Sequence, residues 1–303
     1  MRIANPLYDH AFKYLMNNNR LAKKVISTII DKEVISLELN QQEFVRKGEV
    51  RGFQIFRLDL KATIQHADGR KEQVMIELQK SKLPTNVHRF RQYLGGLYID
   101  DSASTNPSLI GEQPAQLPII TIYILGYNIP DLPVLATRVE RRLVDASTGQ
   151  EINYDSEFVR ELVHQSHILQ IRRLPKERRT RLEHFLQLFD QSRITDKKFI
   201  LEMPDIPADF HDIAVHLSKP LNDDVMVDHF TVEEEMELCF RIMDAEKARL
   251  IREREEALVR AEAVENKLQK LASMMLKLGH SLKEISTETG LSMEELHAIA
   301  LKD

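Results

Sequence analysis

The sequence predicts an α/β protein: a mixed sheet flanked by helices, followed by an α-helical appendage. Three observations predict it. Residues 53–80 alternate apolar and polar with period two over two successive runs separated by Asp68-Gly69, which marks a β-hairpin. Residues 117–127 (LPIITIYILGY) form a β-branched, nearly continuous apolar run, as a strand buried on both faces does. From Met236 to Leu278 an apolar residue returns every seventh position, as in a coiled-coil helix.

The hairpin also predicts its own register. Phe56, Leu58, Leu60, Ala62 and Ile64 share one face, as do Val74, Ile76 and Leu78 on the second run. A two-residue Asp68-Gly69 loop would set Asp59 opposite Leu78, so that the two apolar faces disagree. A three-residue loop, Ala67-Asp68-Gly69 with Gly69 left-handed, pairs His66 with Arg70 and sets Asp59 opposite Glu77, Arg57 opposite Gln79 and Leu60 opposite Ile76. The apolar faces then coincide. Directly opposed side chains lie roughly 4.5–5.5 Å apart at Cβ, and like charges there repel. Asp59 and Glu77 therefore call for a cation between them. A basic neighbour such as Arg57 or Lys61 meets that need on a solvated face; a hard divalent metal meets it with carboxylate, water and phosphate oxygens.

Asp59, followed on the next strand by Glu77-Leu78-Gln79, resembles the active-site signature of the PD-(D/E)XK nuclease superfamily. It is more narrowly similar to the Rpn-type recombination-promoting nuclease and transposase family. Asp9-His10-Ala11-Phe12-Lys13 resembles that family's opening D-x-x-F-K. Glu77-x-Gln79 matches its Gln where other branches have Lys, and Arg89 with Tyr93 matches R-x-x-x-Y in the following helix. His167–Ile171 before Leu174-Pro175 resembles its later strand. The similarity runs from about residue 5 to about residue 190. It implies a restriction-endonuclease-like core and a magnesium- or manganese-dependent endonuclease acting on DNA. Asp59 and Glu77 would be the metal ligands, with Asp9 adding an acidic group. Gln79 would orient the attacking water. Lys61 or Lys13 would supply the positive charge that Gln79 lacks, with Lys13 facing phosphate. Arg89 is then a candidate contact to nucleic acid. The departure from Lys at position 79 also leaves open a catalytically weak DNA-binding or regulatory protein, or an RNA-directed nuclease.

Along the chain, residues 7–31 show helical spacing of Leu7, Ala11, Leu15, Leu21, Val25 and Ile29, with a possible break at Asn17–Asn19. Asp9 and Lys13 also stand at i, i+4, where an ordinary ion pair contributes roughly 0.2–0.5 kcal/mol. Residues 34–45 read as a strand and 46–49 as a turn. Pro84 opens a helix to about Ser102 carrying His88, Arg89, Arg91 and Tyr93. Residues 134–146 and 161–171 read as further strands. The run Arg172–Arg181 holds Arg172, Arg173, Lys176, Arg178, Arg179 and Arg181 against Glu177 alone. Arg172, Arg173, Arg178 and Arg179 are the candidate phosphate contacts. An amphipathic helix follows from Leu182. His164, His167 and His184 are too scattered to read as a metal site.

Three segments result: 1–200 as the nuclease-like domain, 201–230 as a connector rich in proline, and 231–303 as a helical tail. Met236, Met243, Leu250, Ala257, Val264, Leu271 and Leu278 form its seam. Phe240, Ala261, Leu268 and Met275 supply much of a second row, which Lys247 and Arg254 interrupt. The heptads predict a homodimer through residues 231–278. Residues 281–300 read as helix, Gly290 turn, helix, resembling a helix-turn-helix, but acidic residues outnumber basic ones there, which argues against DNA.

The whole chain, 303 residues with 42 basic and 47 acidic side chains, has a net charge of −5, so any nucleic-acid surface must be local. The single cysteine, Cys239, excludes an intramolecular disulfide and a Cys-rich zinc site, and is expected to be a small buried apolar residue. No apolar run of about 18 residues predicts a membrane span, and the first residues lack a signal-peptide core. The expected location is the cytoplasm.

Overall fold

A computed structural model describes residues 1–40, 56–82, 91, 94–95, 117–152, 156, 159 and 164–300. The chain opens with strand β1 (Arg2–Ala4) and two helices, α1 (Asp9–Met16) and α2 (Asn19–Ile30). The break between the helices falls where the asparagine run predicts it. The Asn18 side chain accepts from Leu21 N and caps α2, and Asp31 closes it in the left-handed conformation (φ 54°). Strands β2 (Glu33–Asn40), β3 (Phe56–Gln65), β4 (Lys71–Ser81), β5 (Ile119–Leu125), β6 (Ala136–Val139) and β7 (Gln165–Gln170) follow. They form one six-stranded mixed sheet in the order β2-β3-β4-β5-β7-β6. The β4/β5 and β5/β7 pairs are parallel and the other three antiparallel.

The hairpin register is the one that the three-residue loop predicts. Asp59 faces Glu77, Leu60 faces Ile76 and Gln65 faces Lys71. His66 N donates to Arg70 O at 2.9 Å, and Gly69 takes φ 83°, a conformation that costs glycine nothing. One face of the sheet presents Leu60, Ala62, Ile64, Val74, Ile76, Leu78, Ile120, Ile122 and Ile124. This face packs against Phe12, Leu15, Leu21, Val25 and Ile29 of α1 and α2 in the main core. On the opposite face Met75 and Ile119 form a smaller cluster with Leu94 and Leu117. Of the helix expected over 84–102, positions 91, 94 and 95 are helical, whereas Arg89 and Tyr93 lie outside the described residues. So do residues 41–49, which include the end of the strand and the turn expected there.

After β7 come α3 (Arg181–Leu186), β8 (Ile200–Glu202) and α4 (His211–Ser218). Thr180 and Glu183 form a capping box on α3. The stretch expected to be a connector is part of the globule. β8 pairs with β1, while Phe210, Ile213, Ala214 and Leu217 enter the main core. The prolines shape tight turns rather than a linker. The strand expected over 134–146 is shorter, β6, followed by an isolated bridge of Val144 with Glu151.

Helix α5 (Asp224–Lys277) begins earlier and runs longer than the heptads alone mark out. The chain divides into two compact units, residues 1–237 and 238–303. The first turns of α5 belong to the first unit, where Phe230 closes an aromatic cluster with Tyr8 and Phe199. In the second unit α5 continues, followed by α6 (Leu282–Thr289) and α7 (Met293–Ala300) on either side of left-handed Gly290. Ile285, Leu291 and Leu296 pack on Ala272. The heptad residues Met243, Leu250, Val264, Leu271 and Leu278 are exposed, Leu278 by 76%. Cys239 is exposed as well, not buried as expected. It lies on a stretch of α5 whose neighbours within the chain cover little of it. Among the described residues no helix is long and apolar enough to cross a membrane.

Candidate functional site

The two faces of β4 alternate, and Glu77 and Gln79 therefore point away from the main core. Directly opposed residues on four adjacent strands make a polar row on that side: Asp59 of β3, Glu77 of β4, Thr121 of β5 and Ser166 of β7. All four are buried, Glu77 and Thr121 fully. Polar side chains in such a place need partners, since a buried polar group without one costs about 1–3 kcal/mol. Thr121 Oγ1 donates to Ser166 Oγ at 2.8 Å, and Gln79 Nε2 donates to Glu77 Oε1 at 2.6 Å. Gln79 Oε1 is buried and accepts no hydrogen bond among the described residues. Lys61, half-buried, stands two residues from Asp59 on the same face.

The donor set is all oxygen: the Asp59 and Glu77 carboxylates, held opposite each other by strand pairing, and the buried amide oxygen of Gln79. Hard divalent ions take that chemistry, and magnesium is commonly bound by one or two carboxylates with waters and phosphate oxygens. The residues present fit such an ion. Among the described residues no group of three or more His, Cys, Asp or Glu is placed to hold a metal by itself.

Asp9 and Lys13 do not join this pair. Lys80, the residue after Gln79, points to the other face of β4. There its Nζ, almost wholly buried, donates to Asp9 Oδ1 at 2.6 Å and to Leu7 O at 2.5 Å. Glu233 at the start of α5 accepts from Asp9 N at 2.7 Å and meets His10 Nδ1 at 3.2 Å. Lys82 pairs with Glu237 and lies 3.5 Å above the Tyr8 ring. Burial pushes the Asp9 carboxyl above its usual range, against the pull of the Lys80 charge. Burial also opposes ionisation of Glu233. The His10 hydrogen bond, the Lys80 charge and the Asp9 amide nevertheless hold its carboxyl below the usual range. Burial lowers the Lys82 ammonium. Lys13 is exposed on α1. Asp9 thus sits in a clamp between α1, β4 and α5 rather than beside Asp59 and Glu77.

The basic run divides in two. Arg178, half-buried, donates to Asp190 at 2.9 Å, and Arg173 donates to Ile129 O at 3.0 Å and to Gln170. Arg172 and Arg179 are exposed, Arg179 paired with Glu177 on the surface. His167 is buried on the main-core face of β7, and burial, aided by the charges of Arg138 and Lys32, lowers its pKa to about 4. Sequence reading missed Lys80, Glu233 and Glu237. A lysine in phase with Val74, Ile76 and Leu78 was the available signal for the first. The glutamates are brought in across more than 150 residues by contacts that no local pattern marks.

Comparison of the chain with protein-family models, with curated proteins and with solved structures returned no match.

Proposed function

We propose that this protein is a magnesium- or manganese-dependent endonuclease of the PD-(D/E)XK type, Rpn-like, that hydrolyses DNA phosphodiester bonds. The observation that supports it most is the register setting Asp59 opposite Glu77 on a buried sheet face, with Gln79 hydrogen-bonded to Glu77. Folding two like charges into one place costs stability, which a fold keeps where the charges are used. Asp59, Glu77 and the Gln79 amide oxygen would hold the ion. A divalent ion bound there supplies Lewis acidity toward the scissile phosphate and a water of lowered pKa.

The chain's own residues do the rest. The Gln79 NH2 fixes one Glu77 oxygen and so fixes where the other points. Being neutral, Gln79 orients by hydrogen bonding and adds no charge. Lys61, on the same face, supplies the cation beside the scissile phosphate. The exposed Arg172 and Arg179 touch flanking phosphates. The acidic α6–α7 tail is no part of the DNA surface in this reading. Nicking of supercoiled plasmid with magnesium, abolished by EDTA and by Asp59→Asn, tests it. Magnesium-independent nicking, or full activity of Asp59→Asn and Glu77→Gln, sinks it.

The second copy belongs to the same proposal. The seam Met243, Leu250, Val264, Leu271 and Leu278 is solvent-exposed within one chain, and heptad spacing suits a partner helix better than a globular core does. Two copies joined there bring two sites into one particle, as cutting both strands of a duplex requires when each site cuts one. Light scattering should give a dimer for the full chain at tens of micromolar and a monomer for Leu250→Glu/Val264→Glu. A monomeric wild type removes the paired-site idea.

A second reading is favoured by the neutral Gln79 and the full burial of Glu77: a DNA-binding or regulatory protein with little catalysis. DNA binding without nicking, at any magnesium or manganese concentration, would establish it over the first.

A further inference from the structure

Residues 245–267 of α5 are exposed on every side of the helix. Leu250, Ile251, Leu258 and Val264 each leave about half of their surface to solvent there. Propensity alone supports an isolated helix poorly, and an apolar stripe of this kind is stabilised by burial against a partner. Nearer the C-terminal end Leu268, Ala272 and Met275 pack with α6 and α7, so the open apolar surface lies upstream of them.

The charges that interrupt the seam bear on its direction. With Met243, Leu250, Ala257, Val264 and Leu271 as the d positions, the a positions are Phe240, Lys247, Arg254, Ala261 and Leu268. In a parallel pair like positions share a layer, so Lys247 would meet the partner's Lys247 and Arg254 the partner's Arg254. Two cationic layers would then fall in the middle of the seam. An antiparallel pair sets a against d instead and removes both.

The register follows from the g positions beside the seam, Glu246, Glu253, Arg260 and Lys267. With Arg254 opposite the partner's Ala257, Glu246 meets the partner's Lys267 and Glu253 meets the partner's Arg260. Two-fold symmetry makes each of these pairs twice. A slip of one heptad in one direction sets Glu253 against the partner's Glu253, and in the other Arg260 against the partner's Arg260. In the favoured register the Lys247 stem lies along the partner's Val264, and Ala257 leaves room for the arginine stem. Leu250 then meets the partner's Ala261, and Ile251 the partner's Leu258. Glu265 falls opposite the partner's position 244, also acidic, one repulsive kind of pair against two attractive ones. Within its own helix Glu253 meets Arg249 at 3.3 Å, and Arg260 donates to Glu256 O at 3.2 Å. Both contacts lie on the exposed helix surface, where such pairs are weak and exchange readily.

We propose that α5 pairs with α5 of a second copy in antiparallel orientation, Glu246 on the partner's Lys267 and Glu253 on the partner's Arg260. The proposal rests on the homodimer reading above, to which it adds direction and register, and needs no nuclease activity.

Cys239, the single cysteine of the chain and exposed on α5, takes a spin label without any substitution. In the proposed register it falls opposite the partner's position 272, which sets the two labels about 50 Å apart along the axis at 1.5 Å per residue. A parallel pair would hold them on the order of 10–20 Å apart, since packed helix axes lie about 8–10 Å from each other. A slip of one heptad changes the distance by about 10 Å. Double electron–electron resonance on the labelled full chain, with light scattering on the same sample, should give a dimer with the long distance. Glu253→Arg should weaken that dimer by about tenfold in Kd, and Glu253→Arg/Arg260→Glu should recover most of the loss. In a parallel pair Arg260 would face the partner's Glu265, so the second change would weaken the dimer further. A dimer with a distance under about 20 Å overturns the direction, and one about 10 Å from the expected value overturns the register; either leaves the homodimer standing. A double variant that does not recover overturns the charge pairing and the proposal with it. A monomer by light scattering overturns both the proposal and the homodimer.

Discussion

Strand β4 buries ionisable groups on both of its faces, and the two faces treat them in opposite ways. On the main-core face Lys80 meets Asp9, a cation against an anion, with Leu7 O taking another ammonium hydrogen. On the other face Glu77 meets Asp59, two carboxyl groups opposed by strand pairing. The first arrangement satisfies its charges inside the fold and joins α1 to β4. The second sets two carboxyl groups opposite each other in a buried place. The Lys80–Asp9 pair serves the structure, and the Asp59–Glu77 pair is the one on which the proposed metal site rests.

The largest effect that sharpens this contrast is on activity. Asp59→Asn and Glu77→Gln should each lower nicking by on the order of 10²–10³-fold or more, as loss of a group acting on transition-state charge does. Neither should destabilise the apo protein, and Asp59→Asn is expected to raise its urea midpoint by relieving repulsion. A large loss of apo stability in Asp59→Asn would make this pair structural and erase the difference between the faces.

Lys80 should behave in the opposite manner. Lys80→Met leaves Asp9 facing an apolar group and is expected to cost about 3 kcal/mol, the low end for a broken buried pair. The low end applies because Asp9 keeps 19% of its side-chain exposure. Lys80→Met/Asp9→Leu should recover much of the loss, since apolar replacement of both partners is often neutral. Urea unfolding of the three variants measures it. No coupling between the two positions would break the comparison from the other side.

This contrast was half legible beforehand. The register came from parity: only a three-residue loop makes both apolar faces agree, and Gly69 supplies the positive φ that the loop needs. The site pair followed, because opposition of Asp59 and Glu77 is a local consequence of that register. The break in the first helix was legible for a similar local reason, the capping oxygen of Asn18. The clamp around Asp9 was not. Four residues of helix spacing point Asp9 toward Lys13, whereas tertiary packing turns it to Lys80 and Glu233. The 201–230 stretch misled through its prolines, which punctuate turns equally in a linker and in a packed segment.

Another buried ionisable group, His167, tests what burial does where the charged neighbours that act on it are the cations Arg138 and Lys32. Its pKa is lowered from 6.5 to about 4, so the native state binds its proton less readily than the unfolded chain does. Stability is therefore full above pH 6.5 and falls as pH drops toward about 4, by about 3 kcal/mol at most. His167→Leu should flatten that limb in a series of urea midpoints at fixed ionic strength. A limb of unchanged slope would assign the acid loss to other groups.

The smallest expected effect lies in the basic run, where the same distinction between satisfied and outward charge separates neighbours. Arg178 is half-buried against Asp190, and Arg173 is spent on Ile129 O and Gln170, so both hold the chain after β7 in place. Arg172 and Arg179 face solvent. If DNA lies over this run, the outward pair can displace counterions from it, as can the exposed Lys176 and Arg181, whereas the inward pair cannot. Each phosphate neutralised adds about 0.9 to the slope of log K against log salt. Arg172→Ala/Arg179→Ala should therefore flatten that slope by up to about 1.8, alike for unrelated sequences, with the urea midpoint unchanged. Arg178→Ala should do the reverse, lowering the midpoint through an unpaired, largely buried Asp190 while leaving the slope of the folded protein as it was. Fluorescence anisotropy on one duplex across a salt series distinguishes them. A slope that changes with Arg178 and not with Arg172 and Arg179 would place the DNA on the inward side of the run, where these hydrogen bonds would first have to break.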